Sequence, residues 1–311
     1  MFSGSNGNTS KPPAWQNFIV GGFAAMTASA ATHPLDVLKV RLQLQGEMDA
    51  SVKKSGIISE TRAILRSSGI PGLYPGLTAT LFRQATYSTS RLGVYGYVKD
   101  QLVKLHGSND LPFVQKLVAG VCGGTVGAIC GTPADVLLVR MQSDARLPVE
   151  QRRGYKNVFD GLIKVVKYEG IGTLWTGVLP NTVRAQLMSA SQLGTYDQVK
   201  GSLIRSGFFN DNIICHFAAS TISGFVATAV TNPVDVVKTR LMNAKKGSHV
   251  YSGSLDCAAK LWMSEGLAGF YKGFLPSLMR LGPNTVLLLM CFEQYERLFN
   301  FLRVQTVRMF E

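Results

Sequence analysis

The stretches Pro34-Leu-Asp36-Val-Leu-Lys39-Val-Arg41, Pro133-Ala-Asp135-Val-Leu-Leu138-Val-Arg140 and Pro233-Val-Asp235-Val-Val-Lys238-Thr-Arg240 recur at spacings of 99 and 100 residues. A unit repeated at one period sets the architecture before any local propensity is consulted. Each copy closes a long uncharged stretch. No Asp, Glu, Lys or Arg lies between Lys11 and Asp36, between Lys116 and Asp135, or between Asp211 and Asp235. Charge-free runs of about 18 to 24 residues are long enough to cross hydrocarbon. Charge at the end of such a run is expensive in lipid, so its threefold recurrence points to function.

Working outward, the chain divides into a tail (1–14), three repeats (15–108, 109–207 and 208–303) and a C-terminal tail (304–311). Each repeat reads as a long helix, an amphipathic loop and a second long helix. The first helices are expected near 15–45, 113–143 and 212–243, the second near 79–106, 179–205 and 275–303. The expected fold class is all-α: six transmembrane helices in a pseudo-threefold bundle, with short surface helices. A second mark precedes each even helix: Ser68-Gly69 through Gly76, Glu169-Gly170 through Gly177, and Glu265-Gly266 through Gly273. Segments 161–168 and 257–264 have helical periodicity with a basic outer face, as helices lying along a membrane surface do.

Composition narrows the function. A net charge of +13 suits a nucleic-acid binder only if the bases cluster on one face with aromatics between them. Here they sit at helix ends, in loops and singly within apolar helices, which argues for a basic membrane protein handling anions. The five cysteines show no CxxC spacing, and four lie in apolar stretches, so free membrane-buried thiols are expected. No histidine pattern suggests a metal, and no nucleophile–base pair or phosphate-cradling loop suggests an enzyme. The paired glycines Gly21-Gly22 and Gly123-Gly124 fall mid-helix, where close packing explains them. Residues 1–13 lack an apolar core and an Arg-rich character, so a removed targeting peptide is not expected.

Two sets of residues carry the chemistry. Asp two residues after each proline and the base three further on lie close to one helix face. A helix bent inward at its proline turns those charges toward a central axis. Threefold recurrence favours a ring of ion pairs between repeats over local pairing within each helix. The second set is Arg83, Arg184 and Arg280, each twelve residues before an aromatic: Tyr95, Tyr196 and Phe292. Mid-membrane arginine needs water, an anion or a carboxylate. No acid lies near those levels on the first two even helices, which favours an anion site over structural salt bridges. Arg91 breaks the symmetry, with Gln192 and Leu288 at the equivalent positions, and is the candidate for specificity.

The triple Pro-x-Asp-x-x-Lys-x-Arg pattern, followed by Glu-Gly and aromatic-x-Gly marks, resembles the mitochondrial carrier family over residues 15–303. Segments 81–95 (LFRQATYSTSRLGVY), 146–159 (RLPVEQRRGYKNVF), 211–216 (DNIICH) and 280–283 (RLGP) resemble its dicarboxylate-exchanging branch. The resemblance implies an inner-membrane antiporter, working as a monomer by alternating access, with both termini toward the intermembrane space. It places Arg83, Tyr87, Arg91, Arg184 and Arg280 in the substrate cavity. Asp36, Lys39, Asp135, Asp235 and Lys238 would form a matrix gate, braced by Gln43 and Gln142, with Met242 at the third brace position.

Departures qualify that picture. Leu138 stands where a base is expected; in the pairing that the resemblance implies its partner would be Asp36, leaving Asp135–Lys238 and Asp235–Lys39 as the gate's two possible pairs. The cytoplasmic motif is complete only in Tyr196-Asp197-Gln198-Val199-Lys200. Gly96 and Glu296 replace members of the other two copies, so Glu293–Lys99 is the clear remaining pair and the cytoplasmic gate should be the weaker one. Substrates are expected to be small dicarboxylate anions such as 2-oxoglutarate and malate. Alternatives are dicarboxylate–phosphate or oxaloacetate/sulfate exchange, and an uncoupling-type proton and fatty-acid carrier. No cofactor is expected, while the basic loops and glycine-led helix starts suit bound cardiolipin among the membrane lipids.

Overall fold

The computed structural model describes residues 14–44, 56–106, 112–144, 147, 150, 152–205, 213–244 and 251–310. Those residues form helices and no strand. The first tail, residues 1–13, lies outside them. Repeat one supplies α1 (Ala14–Gln43), α2 (Ile57–Ser68) and α3 (Leu77–His106). Repeat two supplies α4 (Phe113–Asp144), α5 (Val158–Glu169) and α6 (Val178–Arg205). Repeat three supplies α7 (Ile213–Asn243), α8 (Ser254–Phe270) and α9 (Phe274–Phe310).

The long helices form a closed ring in which α1 touches α3 and α9, α3 touches α4, α4 touches α6, α6 touches α7 and α7 touches α9. The odd members α1, α4 and α7 also touch one another, which closes the bundle at one end. At 28 residues or more, each is about 42 Å long or longer at 1.5 Å per residue. Two stretches, Leu117–Asp144 and Phe274–Asn300, are both long and apolar enough to cross a membrane by composition. The other long helices are diluted by Ser, Thr, Gly and charged residues.

Each proline of the repeated signature lies inside its helix rather than ending it. The residue before it ties the interrupted backbone to the following segment. His33 Nε2 lies 2.9 Å from the Pro75 carbonyl, Asn181 donates to Thr132 Oγ1 at 3.0 Å, and Asn232 donates to the Phe270 carbonyl at 2.7 Å.

The glycine marks are backbone devices. Gly69 and Gly170 end α2 and α5 at φ of 63° and 86°, Gly266 kinks α8 at 64°, and Gly76, Gly177 and Gly273 precede the even helices at 80°, 81° and 75°. Side chains other than glycine rarely adopt such angles. Of the expected short helices, α5 and α8 contain the segments 161–168 and 257–264, and α2 is a third that the sequence reading did not anticipate. Close packing holds at Gly123, where an added Cβ would lie 2.7 Å from the Arg91 carbonyl oxygen. It does not hold at Gly22, which faces open space. None of the five cysteines forms a disulfide; within the protein Cys215 and Cys257 are buried, Cys122 and Cys291 are half-buried and Cys130 is exposed.

Candidate functional site

The closed end of the bundle is built from the repeated signatures. Helical spacing puts Asp36 and Asp235 one turn before Lys39 and Lys238, and Asp135 one turn before Leu138, and contact among α1, α4 and α7 brings the three faces together. Lys39 Nζ lies 2.6 Å from Asp235 Oδ2, and Lys238 Nζ lies 2.9 Å from Asp135 Oδ2. Both expected inter-repeat pairs are therefore formed, and the ring displaces local pairing. Asp36, Asp135 and Asp235 are all buried.

The three arginines sit against the same carboxylates. Arg83 Nε is 2.6 Å from Asp135 Oδ1, Arg280 Nη1 is 2.6 Å from Asp36 Oδ1, and Arg184 Nε bonds to Asp235 Oδ1. This corrects the inference that these arginines lack acid partners. Their partners come from the odd helices of other repeats, which a search along the even helices misses. The pattern is cyclic: each arginine reaches the aspartate of the next repeat, and each lysine that of the preceding one. Asp135 and Asp235 each hold two cations, whereas Asp36, facing the repeat that carries Leu138, holds Arg280. Five cations meet three carboxylates in this cluster.

Tyr87 lies beside the cluster, its ring centroid 5.7 Å from the Arg83 guanidinium carbon. Arg91 is exposed and lines a hollow with Tyr87, Ser88, Leu92, Tyr95 and Gly120. Of the two glutamines, Gln43 Oε1 accepts from the Thr239 hydroxyl at 2.8 Å. Gln142 is fully buried, and neither of its side-chain polar atoms has a hydrogen-bond partner among the described residues. It stands one turn beyond Leu138, where there is no charged pair to brace. Met242 joins Val40, Leu44, Val136 and Val139 in an apolar plug beneath the ion pairs.

At the opposite end the expected Glu293–Lys99 pair is not formed. Glu293 instead approaches Arg297 on its own helix at 3.9 Å, with both side chains largely exposed. Lys99 and Asp197 are exposed and Lys200 is half-buried. Lys99, Asp197 and Glu293 are thus exposed at this end while the signature end is shut.

One set of residues escaped the sequence reading. The last base of each signature reaches an acid on the short helix of its own repeat: Arg140 to Glu169 at 2.7 and 2.9 Å, Arg240 to Glu265 at 2.8 Å, and Arg41 to Glu60 at 3.8 Å. The signal was present as the acid before glycine in Glu169-Gly170 and Glu265-Gly266. In repeat one Ser68 takes that place, and Glu60, two turns earlier, supplies the charge. Burial raises the Glu265 carboxyl, but hydrogen bonds and charge from Arg240 and Lys272 outweigh it and hold it below the usual carboxylate range.

Comparison with known proteins decides the family. The mitochondrial carrier protein model matches residues 10–106, 109–207 and 209–302. The chain belongs to the mitochondrial carrier family. That makes it a member of a family of transporters rather than enzymes. It is 48% identical over 282 residues to a probable mitochondrial 2-oxoglutarate/malate carrier of Dictyostelium discoideum, covering 90% of this chain and 88% of that protein. Over 305 residues it is 45% identical to the mitochondrial 2-oxoglutarate/malate carrier protein of Bos taurus, covering 96% of each. Mitochondrial uncoupling protein 5 of Arabidopsis thaliana is 39% identical over 306 residues, covering 91% of this chain and 97% of that protein.

Proposed function

We propose that this carrier exchanges 2-oxoglutarate for malate, or a similar dicarboxylate pair, across the mitochondrial inner membrane. The observation that carries this reading is the engagement of Arg83, Arg184 and Arg280 with three carboxylates at one level of the bundle. The arginines already hold the functional group that a dicarboxylate would present. Arginine's planar fork suits that group, and the cluster's excess of two positive charges matches a dianion. Tyr87 and Arg91, which has no ion pair among the described residues, extend the same helix face away from the signature end.

The ion pairs Lys39–Asp235 and Lys238–Asp135 act as the matrix gate, with Gln43 beside them. Lys99, Asp197, Lys200 and Glu293 form the opposing gate when that end closes. Transport requires that substrate bind the intermediate state better than either end state, because equal affinity moves nothing. All six long helices cross the membrane in this reading. Its support is outward exposure of apolar residues such as Phe23, Ile129, Leu179, Phe225, Val286 and Leu289, an arrangement suited to lipid rather than water. The signature end faces the matrix, and both termini face the intermembrane space. The short helices α2, α5 and α8 lie along the matrix surface with Ile58, Phe159, Ile163 and Trp262 exposed, and cardiolipin binds at the adjoining even-helix starts. One bundle with one central path works as a monomer.

The test is uptake of labelled 2-oxoglutarate into liposomes holding the purified protein. Saturable uptake that requires internal malate supports exchange. Uptake that requires internal phosphate identifies a dicarboxylate–phosphate carrier instead. The likeness to a plant uncoupling protein favours one further reading, and a fatty-acid-dependent proton leak without counter-exchange would establish it.

A further inference from the structure

We propose that Arg280 is the third latch of the closed gate, taking the place of the base that Leu138 removes, and that its release from Asp36 is the step that couples anion binding to opening. The coupling part rests on the exchange reading above; the latch itself does not. Three observations carry it. Asp135 is held by both Lys238 and Arg83, and Asp235 by both Lys39 and Arg184. Asp36, equally buried, has Arg280 at 2.6 Å on the face where a base at position 138 would sit opposite. Leu138 packs instead against the apolar cluster around Ala79, Leu137 and Leu174, and Gln142 one turn on has an unpartnered buried amide.

The three arginines are consequently unequal. When an anion draws Arg83 or Arg184 away, the abandoned aspartate keeps its lysine and stays neutralised. When an anion draws Arg280 away, Asp36 is left as a bare buried carboxylate. An uncompensated buried charge is among the strongest destabilising features a fold can carry. Binding at Arg280 therefore raises the energy of the closed state far more than binding at the other two, and α1 and α9 part first.

Thermal melting of the purified carrier without substrate tests this. Arg280→Ala is expected to lower the melting temperature by roughly 5 °C or more, and by at least twice the fall in Arg83→Ala or Arg184→Ala. Adding Leu138→Lys supplies a second cation for Asp36 and should recover at least half of the Arg280→Ala loss, while liposome exchange stays lost because the anion contact is gone. Equal falls for the three arginine variants, or no recovery with Leu138→Lys, would overturn the latch. Should the Leu138→Lys chain not fold, the comparison among the three single variants decides alone. The expected melting pattern in a protein that exchanges no dicarboxylate would uphold the latch and remove the transport reading.

Discussion

Arg140 and Glu169 form a two-pronged ion pair, at 2.7 and 2.9 Å, with the arginine side chain wholly buried and the glutamate about one-fifth exposed. Arg140 also donates to the carbonyls of Met242 and Ala244, so one side chain ties the end of α4 to α5 and to the end of α7. It anchors the closed end to the short helix that leads into α6. Any motion that opens the signature end must carry this joint along or break it.

Removing the acid strands the arginine. Glu169→Ala is expected to cost about 3–5 kcal/mol, the range for breaking one partner of a buried pair. That corresponds to a fall of roughly 5–8 °C in melting temperature for a chain of this size. Glu60→Ala should cost less, since Arg41 and Glu60 stand 3.8 Å apart. Parallel thermal melts of the two variants check the order, and a larger loss at Glu60 would contradict it.

Charge reversal at the gate offers a second check. Where an ion pair stands alone, exchanging its two residues often restores function. Here it should not, because Asp135 serves Arg83 as well as Lys238. A lysine placed at 135 would face Arg83, and like charges at such range repel strongly in a buried site. Lys238→Asp combined with Asp135→Lys is expected to exchange at least tenfold more slowly than the unaltered carrier in liposomes. Restoration to near the original rate would mean that Arg83 does not engage Asp135 during the cycle.

Arg91 should separate activity from stability. Its side chain is exposed and has no ion pair among the described residues. Arg91→Ala is expected to leave the melting temperature within about 2 °C, since exposed substitutions usually change stability by less than about 0.5 kcal/mol. Exchange should nevertheless fall tenfold or more if the residue holds a substrate carboxylate. Equal loss of both would assign Arg91 a structural role.

The acid links add a pH dependence. Glu265 is held below its unfolded pKa of about 4.3 by Arg240 and Lys272, against the upward push of burial. A carboxylate with a lowered folded pKa contributes stability above its unfolded value and loses it as pH falls through the folded one. Melting temperature should therefore drop between about pH 4.5 and 3 more steeply in the original chain than in Glu265→Gln. Identical slopes would show that the link contributes nothing.

Much of this was legible in the chain. The six long helices start and end within a few residues of where the charge-free runs and repeat period put them, C-terminal extension of α9 aside. The lysine–aspartate pairs followed from Leu138 together with the direction of pairing that the family resemblance implies. The acid partners of Arg83, Arg184 and Arg280 were not legible. They lie in other repeats, and a helix face says nothing about which neighbour it meets. The Lys99–Glu293 pair is absent for a different reason: a motif specifies a pair for the state in which that end is shut, whereas here both side chains are exposed. Helix α2 was not read from the sequence, although its residue pattern is as amphipathic as that of α5.

The last prediction concerns the seam beside Arg91. Gly123, Gly127 and Gly131 recur every four residues on α4 and face successive turns of α3: Arg91 and Tyr95, Tyr87 and Arg91, and Tyr87. At Gly123 an added Cβ would come within 2.7 Å of the Arg91 carbonyl oxygen, and at Gly127 within 3.0 Å of the Arg91 Cβ. Backbone cannot yield as a side-chain end can, so Gly123→Ala must push α3 away from α4. Overpacking of this kind costs about 1–3 kcal/mol. It also moves Arg91 relative to the arginines at the closed end, and misplacement by about 1 Å costs positioned chemistry heavily. Gly123→Ala is therefore expected to lower exchange beyond what its melting temperature explains, with apparent affinity for the dicarboxylate falling most. Gly22→Ala, at a mid-helix glycine with open space around it, should leave both rate and affinity near their original values.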